Sequence, residues 1–497
     1  MRRLRWTVAK NAISNVIRGG ATAVVAVSLP HFLAHSLNHD RFAAWSLMLQ
    51  IAAYASFLDF GLQTAVARFI AQALELEQTD RVRKLIETAF AMLSGAAVLA
   101  ITVIGIVVFF AGSLFHGVPA YLLHEFQVAA LVMALGTALV LPLSTFTGVL
   151  IGMHRNEFVA LTVGGSRLVG AAATILATRY TQSLTILALA LVLPNFLGGL
   201  LQVYIVSRQL ISARTFRLSI DRAAANGFLR YCAGLTVWAF GMLLISGLDV
   251  TIVGHYQFEA IGYYAIAANL TNIFASANST ILNALLAPFA AMQAKGEPDK
   301  MRNIVVRGTR LNTLINVVLT AFVLAYGNSL LKVWVGPAYA QQAYPILCVL
   351  MITQTVRLTF SAYTIALMAT GRQNRGIVPA IVEALVNLAA SLWAITRFGP
   401  IGVAYGSLMG VLFALPALFL ITIKSTKDMS VTRSELVIRG ILPGVLPAIP
   451  ALAVVYAIQR QPPLYPSVAL WVASLLVGCG LYRLIDRQRN LLSLPKP

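Results

Sequence analysis

The chain has 497 residues, of which 59% are hydrophobic and only 11% charged, and its net charge at pH 7 is +20. Soluble domains carry roughly 25% charged residues, so a soluble fold of this size lacks the polar surface it needs. Apolar runs of about 20 residues recur from end to end, each long enough at about 1.5 Å per residue to cross a hydrocarbon core of about 30 Å. The pattern is that of an all-α polytopic membrane protein.

Hydropathy breaks and turn residues predict fourteen helices, at 11–35, 43–72, 86–111, 126–151, 158–178, 184–206, 229–253, 262–292, 304–326, 345–370, 376–396, 402–423, 436–458 and 467–485. The opening "MRRLRWTVAK" and the apolar run after it have the form of a signal peptide, with "AVS" at 26–28 as a cleavage motif. A retained first helix completes an even number of spans and is the reading adopted. Cys232, Cys348 and Cys479 all lie in apolar segments and define neither a disulfide framework nor a metal-ligand spacing.

Basic residues alternate with the connections. The N-terminal tail and the loops around 80–84, 154–157, 207–230, 295–310, 371–376 and 424–439, with the C-terminal tail, hold 28 Lys and Arg against 5 on the opposite side. That asymmetry places both termini in the cytoplasm of a plasma membrane and accounts for the positive charge without a nucleic-acid partner. The far-side loops are short, the longest being about 327–344, so no soluble domain is expected on either face.

Residues 28–49 align without a gap on 247–268, an offset of 219, and at the same offset "EQTDRVRKLI" (77–86) falls on "GEPDKMRNIV" (296–305). Six helices separate the copies, which makes a parallel repeat. The predicted organisation is an N-terminal lobe (1–210, helices 1–6), a C-terminal lobe (211–424, helices 7–12), and two appended helices with a cytoplasmic tail (425–497). Two like lobes are the architecture of an alternating-access carrier.

Seven charges are assigned to the helix interiors: Arg18, Asp59, Arg68, Arg167, Asp249, Arg357 and Glu383. A central Arg or Asp costs about 2.5–3.5 kcal/mol to insert, so such residues face protein or water. Arg68 is roughly 7 Å from the cytoplasmic end of its helix, Arg18 about 10 Å, and Arg167 and Arg357 about 15 and 18 Å. Arg68 can snorkel; Arg18, Arg167 and Arg357 are the candidates for binding an anionic substrate, the last two in an interior role in preference to a structural ion pair. On a regular helix Asp59 and Arg68 point to opposite faces, about 13 Å apart. Asp59 aligns with Asn278, so one lobe has an ionisable group where the other has an amide, an arrangement suited to ion coupling or to an interhelical hydrogen bond. Asp249 and Glu383 are further coupling candidates, and Gly61 and Pro142, Pro194, Pro288 and Pro416 are sites where the spans can loosen.

The segments "LDFGLQTAVARFIAQ" (58–72), "GLDVTIVGHYQFEAIGYYAIAANL" (247–270) and "GEPDKMR" resemble the polysaccharide-transporter family of bacterial lipid-linked oligosaccharide flippases, the O-antigen or Wzx-type members of the MOP superfamily. The resemblance covers nearly the whole chain. It implies a carrier of undecaprenyl-diphosphate-linked O-antigen or exopolysaccharide repeat units in the bacterial inner membrane, with a basic cavity between lobes and other polysaccharide assembly proteins as partners. Arginine suits the diphosphate because it binds phosphate bidentately and stays charged when partly desolvated.

A multidrug cation antiporter of the same superfamily would favour acids in its cavity, whereas four arginines stand against three acids here. An oligosaccharide ligase, polymerase or glycosyltransferase would need a substantial catalytic loop. His31, His35, His39, His116 and His124 sit on short connections and helix ends, where an interfacial structural role fits. No GxxxxGK[ST], HExxH or GxSxG motif is present. The expectation is a carrier rather than an enzyme, without a cofactor, driven by an H+ or Na+ gradient or by consumption of product.

Overall fold

Leu, Ala, Val and Ile fill nearly half the positions of this chain, and in lipid the backbone must satisfy its own hydrogen bonds, which only helices and closed barrels achieve. The computed structural model describes residues 2–115, 117–210, 219–425, 429–446, 449 and 480. Every element among them is helical. They are α1 (Arg2–Ser36), α2 (His39–Phe57), α3 (Leu62–Glu75), α4 (Thr79–Phe109), α5 (Ala120–Gly152), α6 (Gly165–Ala177), α7 (Leu184–Gln209), α8 (Arg222–Met242), α9 (Asp249–Tyr256), α10 (Ile261–Asn283), α11 (Leu286–Lys295), α12 (Pro298–Val335), α13 (Pro337–Thr359), α14 (Ser361–Ala369), α15 (Ile377–Phe398) and α16 (Pro400–Ala417), with a few shorter turns.

Among the described residues ten helices are long and apolar enough to span a membrane, or eleven if the α13–α14 pair, bent by 42°, counts as one. They correspond to eleven of the first twelve predicted spans. The remaining one, 229–253, is present as α8 and α9, joined by a wider π-helical turn at Leu243–Gly247. The predicted helix at 436–458 is described only as far as 446 and at 449, while that at 467–485, but for residue 480, and the C-terminal tail lie outside the described residues.

Two predicted elements need correction. The continuous helix at 43–72 is broken between Phe57 and Leu62, because Phe60 (φ 51°) and Gly61 (φ 74°) adopt left-handed conformations. Glycine takes that conformation freely, while a residue with a Cβ is strained by about 1–2 kcal/mol. The far-side loop at 327–344 is almost wholly helical: α12 runs to Val335 and α13 starts at Pro337. Gly336 (φ 92°) makes the turn alone, and Pro337 supplies a first helical residue whose missing N–H costs nothing.

The chain divides into two compact units, Met1–Ala265 and Ile266–Pro497. In the first, the core is built from Val66 and Ile70 of α3, Ile86 of α4, Val149 and Leu150 of α5 and Phe228 of α8. Phe69 meets the rings of Phe228 and Tyr231 edge-on, at centroid distances of 5.5 and 6.3 Å, so α8 is packed into this unit. In the second, Phe289, Met301, Val305, Tyr363, Ala366 and Leu436 share a core.

The 219-residue repeat is visible in local geometry. Thr79 opens α4 and Pro298 opens α12, and in the turns before them Glu77 (φ 54°) and Gly296 (φ 68°) take the same left-handed conformation. Late helix pairs close tightly in both units. A Cβ on Gly170 would lie 2.7 Å from the Leu191 carbonyl oxygen, and one on Gly406 would lie 2.1 Å from Ser391 Oγ and 2.5 Å from its backbone nitrogen. Small residues let membrane helices approach where no hydrophobic force between them exists.

Candidate functional site

The first unit brings two of the predicted arginines together. Nη1 of Arg167, on α6, donates to Thr22 Oγ1 on α1 at 2.9 Å, and that hydroxyl donates to the Arg18 carbonyl at 3.1 Å. Gly164 faces α1 here, and a Cβ on it would be in ordinary contact with Arg18 Cα at 3.6 Å. Gly164 ends a wider helical turn, Ala160–Gly164, immediately before α6. Such turns re-aim the side chains that follow them and recur at functional sites.

Arg167 is exposed and Arg18 half-buried, and each feels the other's charge. Among the described residues neither makes an ion pair with a carboxylate. Two like charges with no counter-ion are unfavourable against lipid, where each alone costs about 2.5–3.5 kcal/mol. The pair needs water or an anion beside it. Chemically, it is a two-pronged donor set for phosphate oxygens.

Arg357 proves different. Its Nε donates to Glu383 Oε1 at 2.7 Å across α13 and α15, and its Nη1 donates to Gln354 Oε1 at 2.8 Å. The preference for an interior role over an ion pair is therefore corrected: at 26 residues' separation the two charges meet only through tertiary packing. Nη2 is buried without a partner among the described residues. Glu383 is correspondingly occupied as a counter-ion rather than available to a transported cation.

Asp59 lies in the break between α2 and α3, half-buried, where its Oδ1 accepts from the Gln63 N–H at 3.3 Å. It thus caps the first turn of α3, a place where a carboxylate meets unsatisfied N–H groups and the positive helix end. Arg68 is exposed, and its guanidinium lies 5.2 Å over the Tyr231 ring. The opposite-face argument for Asp59 and Arg68 assumed a regular helix, which the break removes. Asp249 begins α9 and is buried, with Tyr264 donating to its Oδ2 at 3.0 Å. Asn278, the repeat partner of Asp59, is buried and donates to Asn312 Oδ1 and Asn316 Oδ1, while Asn312 donates to the Leu358 carbonyl.

The far-side histidines contact backbone. His39 Nε2 contacts the Glu259 carbonyl at 2.7 Å and His35 Nδ1 the His31 carbonyl at 2.7 Å. His124 is exposed, and His116 lies outside the described residues. Among the described residues no group of three or more His, Cys, Asp or Glu could hold a metal ion. Sequence reasoning missed Glu87, which is 5% exposed on α4. Its position one residue inside a predicted helix, next to "RVRK", disguised a buried acid as part of a solvated helix end.

A sequence model of the family described as "polysaccharide biosynthesis protein" matches residues 8–293, more than half of the chain. No curated protein matches. Among solved structures, the chain is similar to the lipid II flippase MurJ in an inward closed conformation, at 12% identity and TM-score 0.71, over 97% of this chain and 100% of that one. It is also similar to an inward-facing multidrug resistance MATE family transporter of the MOP superfamily, at 14% identity and TM-score 0.65, over 82% and 99% of the two chains. A third likeness is to the Vibrio cholerae MATE transporter VcmN, at 12% identity and TM-score 0.60, over 86% and 98%. At these identities the likeness is one of fold, that of a multi-pass membrane protein whose described elements are all helical.

Proposed function

The chain belongs to the polysaccharide biosynthesis protein family, and on that premise we propose that it is a flippase, carrying an undecaprenyl-diphosphate-linked oligosaccharide across the bacterial inner membrane by alternating access. The observation that carries this reading is the Arg18–Thr22–Arg167 cluster, in which the Arg167 guanidinium donates to Thr22, that hydroxyl donates to the Arg18 backbone carbonyl, and neither arginine pairs with a carboxylate among the described residues. Its chemistry suits a diphosphate and repels a cationic drug. The likeness in fold to a lipid II flippase supports the same reading.

In this proposal Arg18 and Arg167 bind the diphosphate, and Arg357, held by Glu383, is a secondary candidate. Coupling to H+ or Na+ runs through Asp59, since Glu383 neutralises an arginine and Asp249 is buried against Tyr264. No bond is made or broken in the substrate, and no cofactor is called for. The positive-inside asymmetry supports cytoplasmic termini, and enzymes that build and polymerise the repeat unit are the expected partners. Two repeat-related lobes supply the alternating access.

The test is transport of a labelled polyprenyl-diphosphate sugar in vesicles containing the purified protein. Arg18→Ala and Arg167→Ala should each reduce the rate by about 30-fold or more, the cost of truncating one partner of a desolvated charge pair. Arg→Lys should recover only part of it, because a lysine cannot donate bidentately. Full transport by both alanine variants would remove the pair from the site.

A further inference from the structure

Glu87 and Thr88 point from α4 at the chain segment that follows α7. Ser219 Oγ donates to Glu87 Oε2 at 2.6 Å, and Arg83 Nε lies 3.9 Å from Glu87 Oε1. Beside it, Thr88 Oγ1, fully buried, accepts from the Asp221 N–H at 3.0 Å. Asp221 in turn accepts from the Ala224 N–H at 2.9 Å and so caps α8. One unbroken set of hydrogen bonds therefore runs from α4 through residues 219–221 into the first turn of α8. Ser219 and Ile220 are exposed, so this short extended segment has little apolar burial to hold it. Burying a carboxylate is costly unless it is paired and hydrogen-bonded, and here one of that carboxylate's hydrogen bonds comes from the connector, with Arg83 beside it.

The second unit docks the corresponding segment by other means. Val306 stands 219 residues after Glu87. The stretch that follows α16 returns to this same helix as Leu436–Ile441 and α17 (Leu442–Val445). A Cβ on Gly440 would lie 3.2 Å from Thr309 Cγ2, and one on Gly444 would lie 2.7 Å from the Arg310 carbonyl oxygen. The chain that follows α7 is thus seated on α4, and the chain that follows α16 on α12, the repeat counterpart of α4. The second does it with glycines, the first with a buried acid.

We propose that Glu87 is a positioning residue that locks the connector at 219–221, and with it the start of α8, onto α4, so that α8 moves as part of the first unit. This goes beyond the transport reading and does not depend on which substrate is carried.

Hydrogen–deuterium exchange on the purified full-length protein in detergent tests it. Glu87→Leu should raise exchange in peptides covering 219–228 by about tenfold or more, the loss of a hydrogen bond to a charged group. Peptides from α5 and α7 should be unchanged. Glu87→Gln, which still accepts from Ser219, should stay within about threefold of the parent. If Glu87→Leu does not fold, Ser219→Ala and Thr88→Val together should give the same local rise. Parent-like exchange in 219–228 for Glu87→Leu, or for the Ser219→Ala, Thr88→Val pair, overturns the proposal. A rise spread evenly over the first unit overturns it too, because Glu87 would then serve general stability.

Discussion

In the first unit Arg18 and Arg167 share a threonine and have no carboxylate among the described residues, whereas in the second Arg357 sits 2.7 Å from Glu383. The same contrast holds at the repeat-related pair. Asp59 is a half-buried carboxylate in a helix break, while Asn278 is an amide tied into a network with Asn312 and Asn316. Among the described residues the first unit thus keeps two arginines without a counter-ion, whereas the second gives Arg357 one in Glu383. An uncompensated charge in a membrane protein costs stability, and the place where that cost is retained is where a ligand or ion can relieve it. The proposed function is accordingly tested first at residues of the first unit.

The largest expected effect concerns Asp59. Asp59→Asn keeps the acceptor that caps Gln63 and removes titration, so gradient-driven accumulation in vesicles should be lost while exchange of substrate between leaflets continues. Normal accumulation by Asp59→Asn would reduce the residue to a cap and erase the functional half of the contrast. Next is Glu383→Leu, which leaves half-buried Arg357 with Gln354 but without a counter-ion. Removing one partner of a buried pair costs about 3–5 kcal/mol, read as a lower midpoint of thermal unfolding, and Arg357→Met together with Glu383→Leu should restore most of it. A double variant as unstable as the single one would mean that the pair is not the source.

Packing offers a smaller effect. Gly406→Ala would push a methyl into Ser391 Oγ and its backbone nitrogen and should cost about 1–3 kcal/mol of stability. Gly19→Ala, on α1 with nothing within 4 Å of the added carbon, should stabilise by about 0.5–1 kcal/mol. The smallest effect has the opposite sign to that at Glu383. Arg18→Met should leave unfolding unchanged or raise it by under about 1 kcal/mol, since it relieves like-charge repulsion, although transport falls. Marked destabilisation by Arg18→Met would show an unseen structural partner and blur the distinction between the units.

Much of the fold was legible because its determinants are local. Span lengths follow from apolar runs, and eleven of the first twelve predicted spans match helices or one bent pair. The repeat could be read from "EQTDRVRKLI" and "GEPDKMRNIV", whose turns share a left-handed residue 219 positions apart. Gly61 was legible as a weak point, but Phe60 was not, because only the surrounding packing holds a phenylalanine in a left-handed turn. The candidate site was legible in part. Depth along a helix singles out Arg18, Arg167 and Arg357 alike and does not tell which of them meets a carboxylate.

The sequence by itself determined the membrane class, the number and placement of most spans, the repeat, and which residues carry charge where charge is costly. These depend on chain length per rise, on hydropathy and on residues close along the chain. Only the tertiary structure decided which of those charges are neutralised. Thr22 and Arg167 are 145 residues apart, Arg357 and Glu383 26, and Glu87 and Ser219 132, separations at which no helical periodicity brings side chains together. Whether an arginine meets a carboxylate, a hydroxyl or another arginine is set by which helix faces pack, and that is a property of the assembled bundle.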